Sequence, residues 1–441
     1  MRRSTITAIG RLGLATIIFL IVLGTYFITL LEIGGWPSWT PEPGDGPDYD
    51  MIAYQLWQGK GFSYNWDDPV YEAPYQSDTE NYAYLLERSG SYPTTYRPPL
   101  FPVILSVLYR LFGRDFAVVR LFNILLMAAA CAIYYAGQLE RRGKWAALIF
   151  ALLFIFNQRL IINAASFLTE SLAVFQVSLL IWALFRYLNT RHIVYVVILG
   201  LIGGLMALNR SIFLAWLLPI CLLIVFIEPK RSGFLKAGLL SILLLMVTSP
   251  WLVRNIDLIG MPWGTHGGIN LPAAYSDVAL QRHGSWFKPR EYSFFADVQT
   301  AGGGLAQEKA EAESGQSQGM RWIVDYWTKI PLLALYKVVD LWRPGNRIDV
   351  LILLLAVIGW YCCIGQPEGF IFIFILLINT LGVAATWSVG QRFLVPVWPV
   401  LYLFASLGTE RSFAWVRSRW TMRPSSFLRS GDHPSSRNAN P

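Results

Sequence analysis

Three carboxylates fall within six residues in Gly44-Asp45-Gly46-Pro47-Asp48-Tyr49-Asp50. Such a cluster can polarise an acceptor hydroxyl or hold a divalent ion. Gly, Pro and Asp also make a solvated turn, and spacing alone favours the turn. Glu170, in Phe167-Leu168-Thr169-Glu170-Ser171, stands where two apolar runs meet. There it could enter a cavity shared with the first cluster, or simply be an acid at the positive start of a helix. Arg97 precedes Pro98-Pro99-Leu100-Phe101-Pro102. A guanidinium matches phosphate oxygens in pairs, whereas most arginines beside a membrane are snorkelling anchors. Arg210, Arg254 and Arg392 carry the same two readings, with anchoring the commoner. The four histidines and four cysteines show no zinc spacing, so any metal would need carboxylate ligands.

The elements that must position these residues are membrane spans. Of 441 residues, 54% are hydrophobic and 15% charged, against roughly 25% charged in ordinary soluble domains. A string of soluble domains is excluded. The net charge of +8 comes in short clusters between apolar runs and in the tail, which suits membrane topology better than nucleic acid.

Arg2, Arg3 and Arg11 flank an apolar stretch to Leu31 that is long enough to cross a ~30 Å hydrocarbon layer. It exceeds a signal-peptide core and lacks a small-x-small site before Glu32, so it is expected to be a retained first helix with a cytoplasmic N-terminus. Further spans are expected near 115–139, 145–161, 171–187, 193–209, 212–227, 237–252, 348–364, 369–387 and 393–409, ten in all. Alternation then places Arg141, Arg142 and Lys144, the pair Arg186 and Arg191, the trio Lys230, Arg231 and Lys236, and a basic, disordered tail 410–441 in the cytoplasm.

Residues 32–97 hold eleven acids, three basic residues and fourteen aromatics, the composition of an outer loop. Pro98 to Phe112 reaches only ~22 Å as a helix, so it is expected to lie in the interface and extend that loop to residue 114. Arg110, Arg114 and Arg120 then sit outside, against the charge rule. Residues 253–347 form the second outer loop in the same compartment. Within it, Gly302 to Gly304 and Glu308 to Gly319 are expected to be mobile. The pattern from Trp322 to Tyr336 suits a helix lying on the membrane. The expected fold is thus an all-α polytopic protein of the inner cell membrane, one unit over 1–409, with two large non-cytoplasmic loops carrying interfacial helices.

Span interiors are almost free of charge; Arg120, Arg159 and Asp349 lie near ends. A transporter normally keeps ionisable groups near the midplane. The polar chemistry here gathers at the outer surface, as for an enzyme acting on lipid-anchored substrates. A transporter or flippase of a lipid-linked sugar is the alternative, and a membrane scaffold would leave the acidic cluster without a task.

In this order the motifs resemble the integral-membrane glycosyltransferases of the GT-C class, in particular the bacterial relatives of dolichyl-phosphate-mannose protein mannosyltransferases and lipid A aminoarabinose transferase. The similarity runs from the first span to Phe393. In that family an acid follows the first helix four positions before a Tyr that opens an amphipathic helix. Asp45 and Tyr49 have that spacing, and Leu56 and Gly59-Lys60-Gly61-Phe62 continue the pattern. Arg97 matches the basic residue before a Pro-rich segment, Glu170 the second outer acid, and Trp251 to Asn255 and Arg392 to Pro396 the late motifs. No soluble domain is expected after the spans, unlike an oligosaccharyltransferase.

The resemblance implies inverting transfer of one sugar from a polyprenyl-phosphate donor to an acceptor hydroxyl on protein, lipid or glycan. It makes Asp45, rather than Asp48 or Asp50, the catalytic base, and gives Glu170 the task of positioning hydroxyls. Arg97 would neutralise the departing phosphate, and Trp57, Tyr64 and Trp66 could stack on sugars, although anchoring in the membrane interface is their commoner use. No cofactor is required by it, although Mg or Mn held by the carboxylates stays possible.

Overall fold

Apolar chain can cross hydrocarbon only where its backbone groups bond to one another, which for single segments means helices. The computed structural model describes residues 8–32, 40–298 and 303–421, and they are overwhelmingly helical. The first apolar run is α1 (Ala8–Glu32). The first hydrophilic region holds α2 (Asp45–Trp57), strand β1 (Ser63–Asn65), two short helices α3 (Pro69–Glu72) and α4 (Thr79–Leu86), and strand β2 (Ser91–Pro93). The strands form an antiparallel pair with Tyr64 opposite Tyr92. Then come α5 (Leu100–Phe112), α6 (Phe116–Arg141), α7 (Lys144–Ile155), α8 (Gln158–Ala165), α9 (Glu170–Thr190), α10 (Ile193–Asn209), α11 (Phe213–Ile227) and α12 (Lys230–Ile259). The second hydrophilic region contains α13 (His266–Ala274), α14 (Asp277–Gln281), α15 (Gly304–Asp325) and α16 (Ile330–Trp342). The chain ends in α17 (Arg347–Tyr361), α18 (Pro367–Ala384), a 3-10 turn Arg392–Val397 and α19 (Trp398–Thr421).

Every expected span is helical, and at least five of the ten meet the length and composition of a membrane crossing. By length and composition five helices can cross a membrane: α1, α6, α9, α12 and the unit ending in α19. A sixth counts if α7 and α8 form one span bent by 55°. The expected span 145–161 is therefore broken: the Asn157 side chain accepts from Leu160 N at 3.0 Å and starts a new helix. α10, α11 and α18 are shorter apolar helices. Helices α1, α6, α7, α9 and α19 share one apolar core in which Tyr26, Phe150, Phe154 and Tyr402 are buried.

The placement of α5 decides sidedness within the bundle. Arg97, just before α5, binds Asp48, and Arg114, just after it, binds Asp50. Both ends of α5 are thus fastened to α2, so α5 runs along α2. Arg114 and Arg120 are each engaged locally. Arg114 pairs with Asp50, and Arg120 donates to the carbonyls of Ala165 (2.9 Å) and Thr40 (3.1 Å).

Two further expectations are corrected. Residues 308–319 are helix α15, with Glu308 and Glu311 buried, not a mobile stretch; Gly302 lies outside the described residues. The expected tail from residue 410 begins as helix, since α19 continues to Thr421, and 422–441 lie outside the described residues. The two hydrophilic regions also bond to each other. Glu308 accepts from Thr94 Oγ1 (2.7 Å), Thr95 N (3.0 Å) and Thr265 Oγ1 (2.6 Å). They therefore share one end of the bundle, the loop end.

Candidate active site

Asp45 is the first residue of α2, not part of a solvated turn. Gly44 enters it with φ 109°, a conformation that a side chain would strain. Residues three apart lie on one helix face, so Asp45 and Asp48 face the same partner while Asp50 turns away. That partner is Arg97: Nη2 is 2.8 Å from Asp45 Oδ1 and 2.7 Å from Asp48 Oδ2, to which Nε also donates at 3.0 Å. Arg88 takes the other Asp48 oxygen at 2.9 Å. Asp50 is fully buried, bound by Arg114 and by the hydroxyls of Tyr75 and Tyr109, each at 2.6 Å. Of the three acids Asp45 is the open one, with 27% of its side chain exposed against 5% and 0%.

Arg392 Nη1 lies 2.9 Å from Asp45 Oδ2, and its Nε is 2.5 Å from Glu170 Oε1. Arg210 also reaches Glu170 Oε1, at 3.3 Å. An alternating chain results: Arg88, Asp48, Arg97, Asp45, Arg392, Glu170, Arg210. Glu170 is fully buried at the first position of α9, so it serves both as a helix-start acid and as the group that orients Arg392 and Arg210. Its Oε2 is buried without a hydrogen-bond partner.

Charge sets the proton affinities. Burial works to raise the Asp45 carboxyl, but Arg97 and Arg392 outweigh it and hold the group far below the usual carboxylate range. Asp48 is likewise held low, burial being outweighed by Arg97 and Arg88. Burial pushes the Tyr49 hydroxyl up to about 12. His266, which opens α13, is pushed down to about 4 by burial and then by Arg97, so it is neutral near pH 7.

These groups border a cavity of about 1000 Å³. Asp45, Asp48, Tyr49, Arg97, Arg210 and Arg392 line it as expected. Glu170 does not line it and acts from behind Arg392. Arg254, expected as a substrate ligand, is elsewhere: it donates to Phe62 O (2.9 Å) and Thr94 O (3.1 Å) and lies over the rings of Phe62 and Trp251. It ties α12 to the first loop. Tyr64 and Trp66, expected to stack on sugars, are buried in that loop's own core, and Trp57 packs on Tyr54 and Tyr109. None of these three lines the cavity.

Sequence reasoning missed the contribution of the second region. Arg282, Lys288 and Arg290 line the cavity, as do Tyr96, Trp286 and Trp387. Lys288 pairs with Glu291 (3.2 Å) and Arg290 with Glu311 (2.6 Å), whereas Arg282 donates to the neutral Tyr292 hydroxyl (3.2 Å). Three cations within nine residues of one hydrophilic region were the available signal. The cavity also has an apolar part of its lining, Ile212, Phe213, Leu214, Gly382, Phe393 and Pro396. Among the described residues no group of three His, Cys, Asp or Glu is placed to hold a metal ion.

Residues 96–253, about a third of the chain, match the family model of dolichyl-phosphate-mannose-protein mannosyltransferase. No curated protein matches the sequence. Two structures of the Archaeoglobus fulgidus oligosaccharyltransferase share the fold. AglB in complex with an inhibitory peptide and a dolichol-phosphate superposes with TM-score 0.53 at 13% identity, over 96% of this chain and 52% of that one. The enzyme tethered to an acceptor peptide containing the NVT sequon gives 0.54 at 13%, over 97% and 52%. This chain has the GT-C fold. It spans about half the length of those oligosaccharyltransferases. ArnT from Cupriavidus metallidurans bound to undecaprenyl phosphate matches at TM-score 0.39 and 13% identity, over 94% and 82%, too low a likeness to weigh. This fold and the long apolar helices make the chain an integral, multi-pass membrane protein.

Proposed function

We propose that this GT-C protein is an inverting glycosyltransferase that moves one sugar from a polyprenyl-phosphate carrier to an acceptor hydroxyl on the non-cytoplasmic face. The observation that carries the proposal is the open Asp45 carboxylate between two cavity-lining arginines, in a cavity whose lining also holds further cations and apolar side chains. That lining fits a lipid phosphate whose tail lies against the apolar side chains.

The acceptor oxygen attacks the anomeric carbon as the bond from that carbon to the phosphate oxygen breaks, and polyprenyl phosphate leaves with the electron pair. The hydroxyl proton passes to Asp45. A carboxylate held by two guanidinium groups is a weak base at rest. An incoming phosphate competes for Arg97 and Arg392, loosens their hold on Asp45 and strengthens it as a base when donor is present. Arg282, Arg210 and Lys288 complete the cationic surround of the leaving group. Glu170 positions Arg392 rather than substrate hydroxyls.

Asp45 and Glu170 are the carboxylates that could have chelated Mg or Mn. Arg392 bridges them and Arg97 takes the remaining Asp45 oxygen, so guanidinium groups stand where a cation would. These arginine-bound carboxylates favour a metal-independent reaction, and transfer is expected to survive EDTA. The acceptor is a glycan, lipid or protein hydroxyl. The flippase alternative has no observation in its favour. The test is incubation of the purified protein in proteoliposomes with labelled polyprenyl-phosphate sugars: release of polyprenyl phosphate supports transfer, and intact lipid moved across the bilayer refutes it.

A further inference from the structure

Two tryptophans on the cavity wall, Trp286 and Trp387, have no part in the mechanism above. Backbone bonds register their segments: Trp286 N donates to Ser388 O at 2.7 Å and Ser388 N to Gly284 O at 3.2 Å, a parallel bridge that pairs Ser285 with Ser388. Asn270, 1% exposed, fixes one indole. Its Oδ1 accepts from Trp286 Nε1 at 3.2 Å, and its Nδ2 donates to the Tyr96 hydroxyl at 3.1 Å. The indole N–H is thereby engaged while Trp286 stays 37% exposed. Among the described residues no ring or cation stacks on it.

The wall adjoins the acid. The His266 ring lies 5.7 Å from Trp387 and 4.9 Å from Tyr96, whose neighbour Arg97 binds Asp45. One ring separates Trp387 from the Tyr96–Arg97 pair. Lys288 and Arg290 follow Trp286 by two and four residues and line the same cavity.

We propose that Trp286 and Trp387 form the subsite for the pyranose ring of the donor lipid, with Asn270 as a positioning residue that sets the Trp286 plane. A pyranose presents a C–H face and a hydroxyl edge. A fixed indole offers a broad flat apolar surface at little entropic cost, which suits the C–H face. A glycosyl phosphate places its charge directly beside the sugar, and Lys288 and Arg290 line the cavity that Trp286 borders. An isoprenoid tail needs no flat face and has the apolar part of the lining, which includes Phe213 and Phe393. The proposal rests on the lipid-donor reading above.

The full-length protein in detergent is titrated with bare undecaprenyl phosphate and with undecaprenyl phosphates carrying mannose, glucose, galactose or aminoarabinose. Wild type is expected to bind at least one sugar-bearing lipid more tightly than the bare lipid. Trp286→Ala and Trp387→Ala are each expected to weaken that lipid up to about tenfold and to leave the bare lipid unchanged. Trp286→Leu, which keeps apolar volume without the flat face, should behave as Trp286→Ala. Asn270→Asp, which keeps the acceptor for the indole N–H, should bind nearly as wild type, and Asn270→Ala should fall with the tryptophan variants. Equal loss for both kinds of lipid, no loss for either, or full sugar binding by Trp286→Leu would overturn the subsite while leaving the lipid-donor reading standing. Wild type that binds neither lipid overturns both.

Discussion

Asp45 shares each of its guanidinium partners with another acid, so the charge of the site is set by a chain and not by a pair. Arg97 is buried between Asp45 and Asp48, and removing it strands two carboxylates. Arg97→Ala is therefore expected to cost roughly 3–5 kcal/mol of stability as well as donor affinity, and thermal unfolding in detergent with and without donor measures both. His266 gives the pH dependence. Its value is lowered on folding from 6.5 to about 4, so the unfolded chain takes up the proton first. Stability present above pH 6.5 is lost as the pH falls towards 4, and His266→Gln should flatten that part of the melting-temperature profile. At this scale Asp45, Arg97 and Arg392 were legible because motif order named them. Arg254 was not, because an arginine bound to carbonyls and one facing a cavity look alike in sequence. His266, lone and without metal spacing, gave no signal at all.

Helices carry these side chains to one place through contacts that composition hides. The run from Gly303 to Gly319 is rich in Gly, Ser and Gln and reads as mobile, yet Glu308 gathers Thr94, Thr95 and Thr265 around one carboxylate and docks α15. The glycines have a further purpose. A Cβ on Gly315 would overlap the carbonyl of Gly268, so α13 and α15 approach closely only because both positions lack one. Gly315→Ala is expected to cost about 1–3 kcal/mol by overpacking. Glu308→Ala should open α15 to cleavage between residues 303 and 325 under limited proteolysis, and a cleavage pattern like wild type would contradict the docking role. For α5 the thirteen-residue helix has the length expected from the sequence, and Arg97 and Arg114 tie both its ends to α2. The break at Asn157 was missed although Asn157-Gln158-Arg159 interrupts the apolar run there.

Across the whole molecule, both hydrophilic regions lie at one end of the bundle, joined by Glu308 and by Arg254. The 26 residues of α6 lead from there to the opposite end at Arg141 and Lys144. In a background without native cysteines, Glu80→Cys and Glu313→Cys should react with an impermeant thiol reagent from the same side, and Lys144→Cys only from the other. Labelling of all three from one side would break the arrangement. The cationic character of the second region escaped sequence reasoning because Arg282 and Lys288 become part of a site only when α13 and the segment after α18 bring them to α2. What most directly tests the central claim is release of polyprenyl phosphate from a labelled lipid-linked sugar by wild type and by Asp45→Asn, compared at equal donor occupancy. Wild type is expected to release it while the variant binds the donor and leaves it intact. Release by the variant at the wild-type rate would contradict the role of Asp45 and the mechanism built on it.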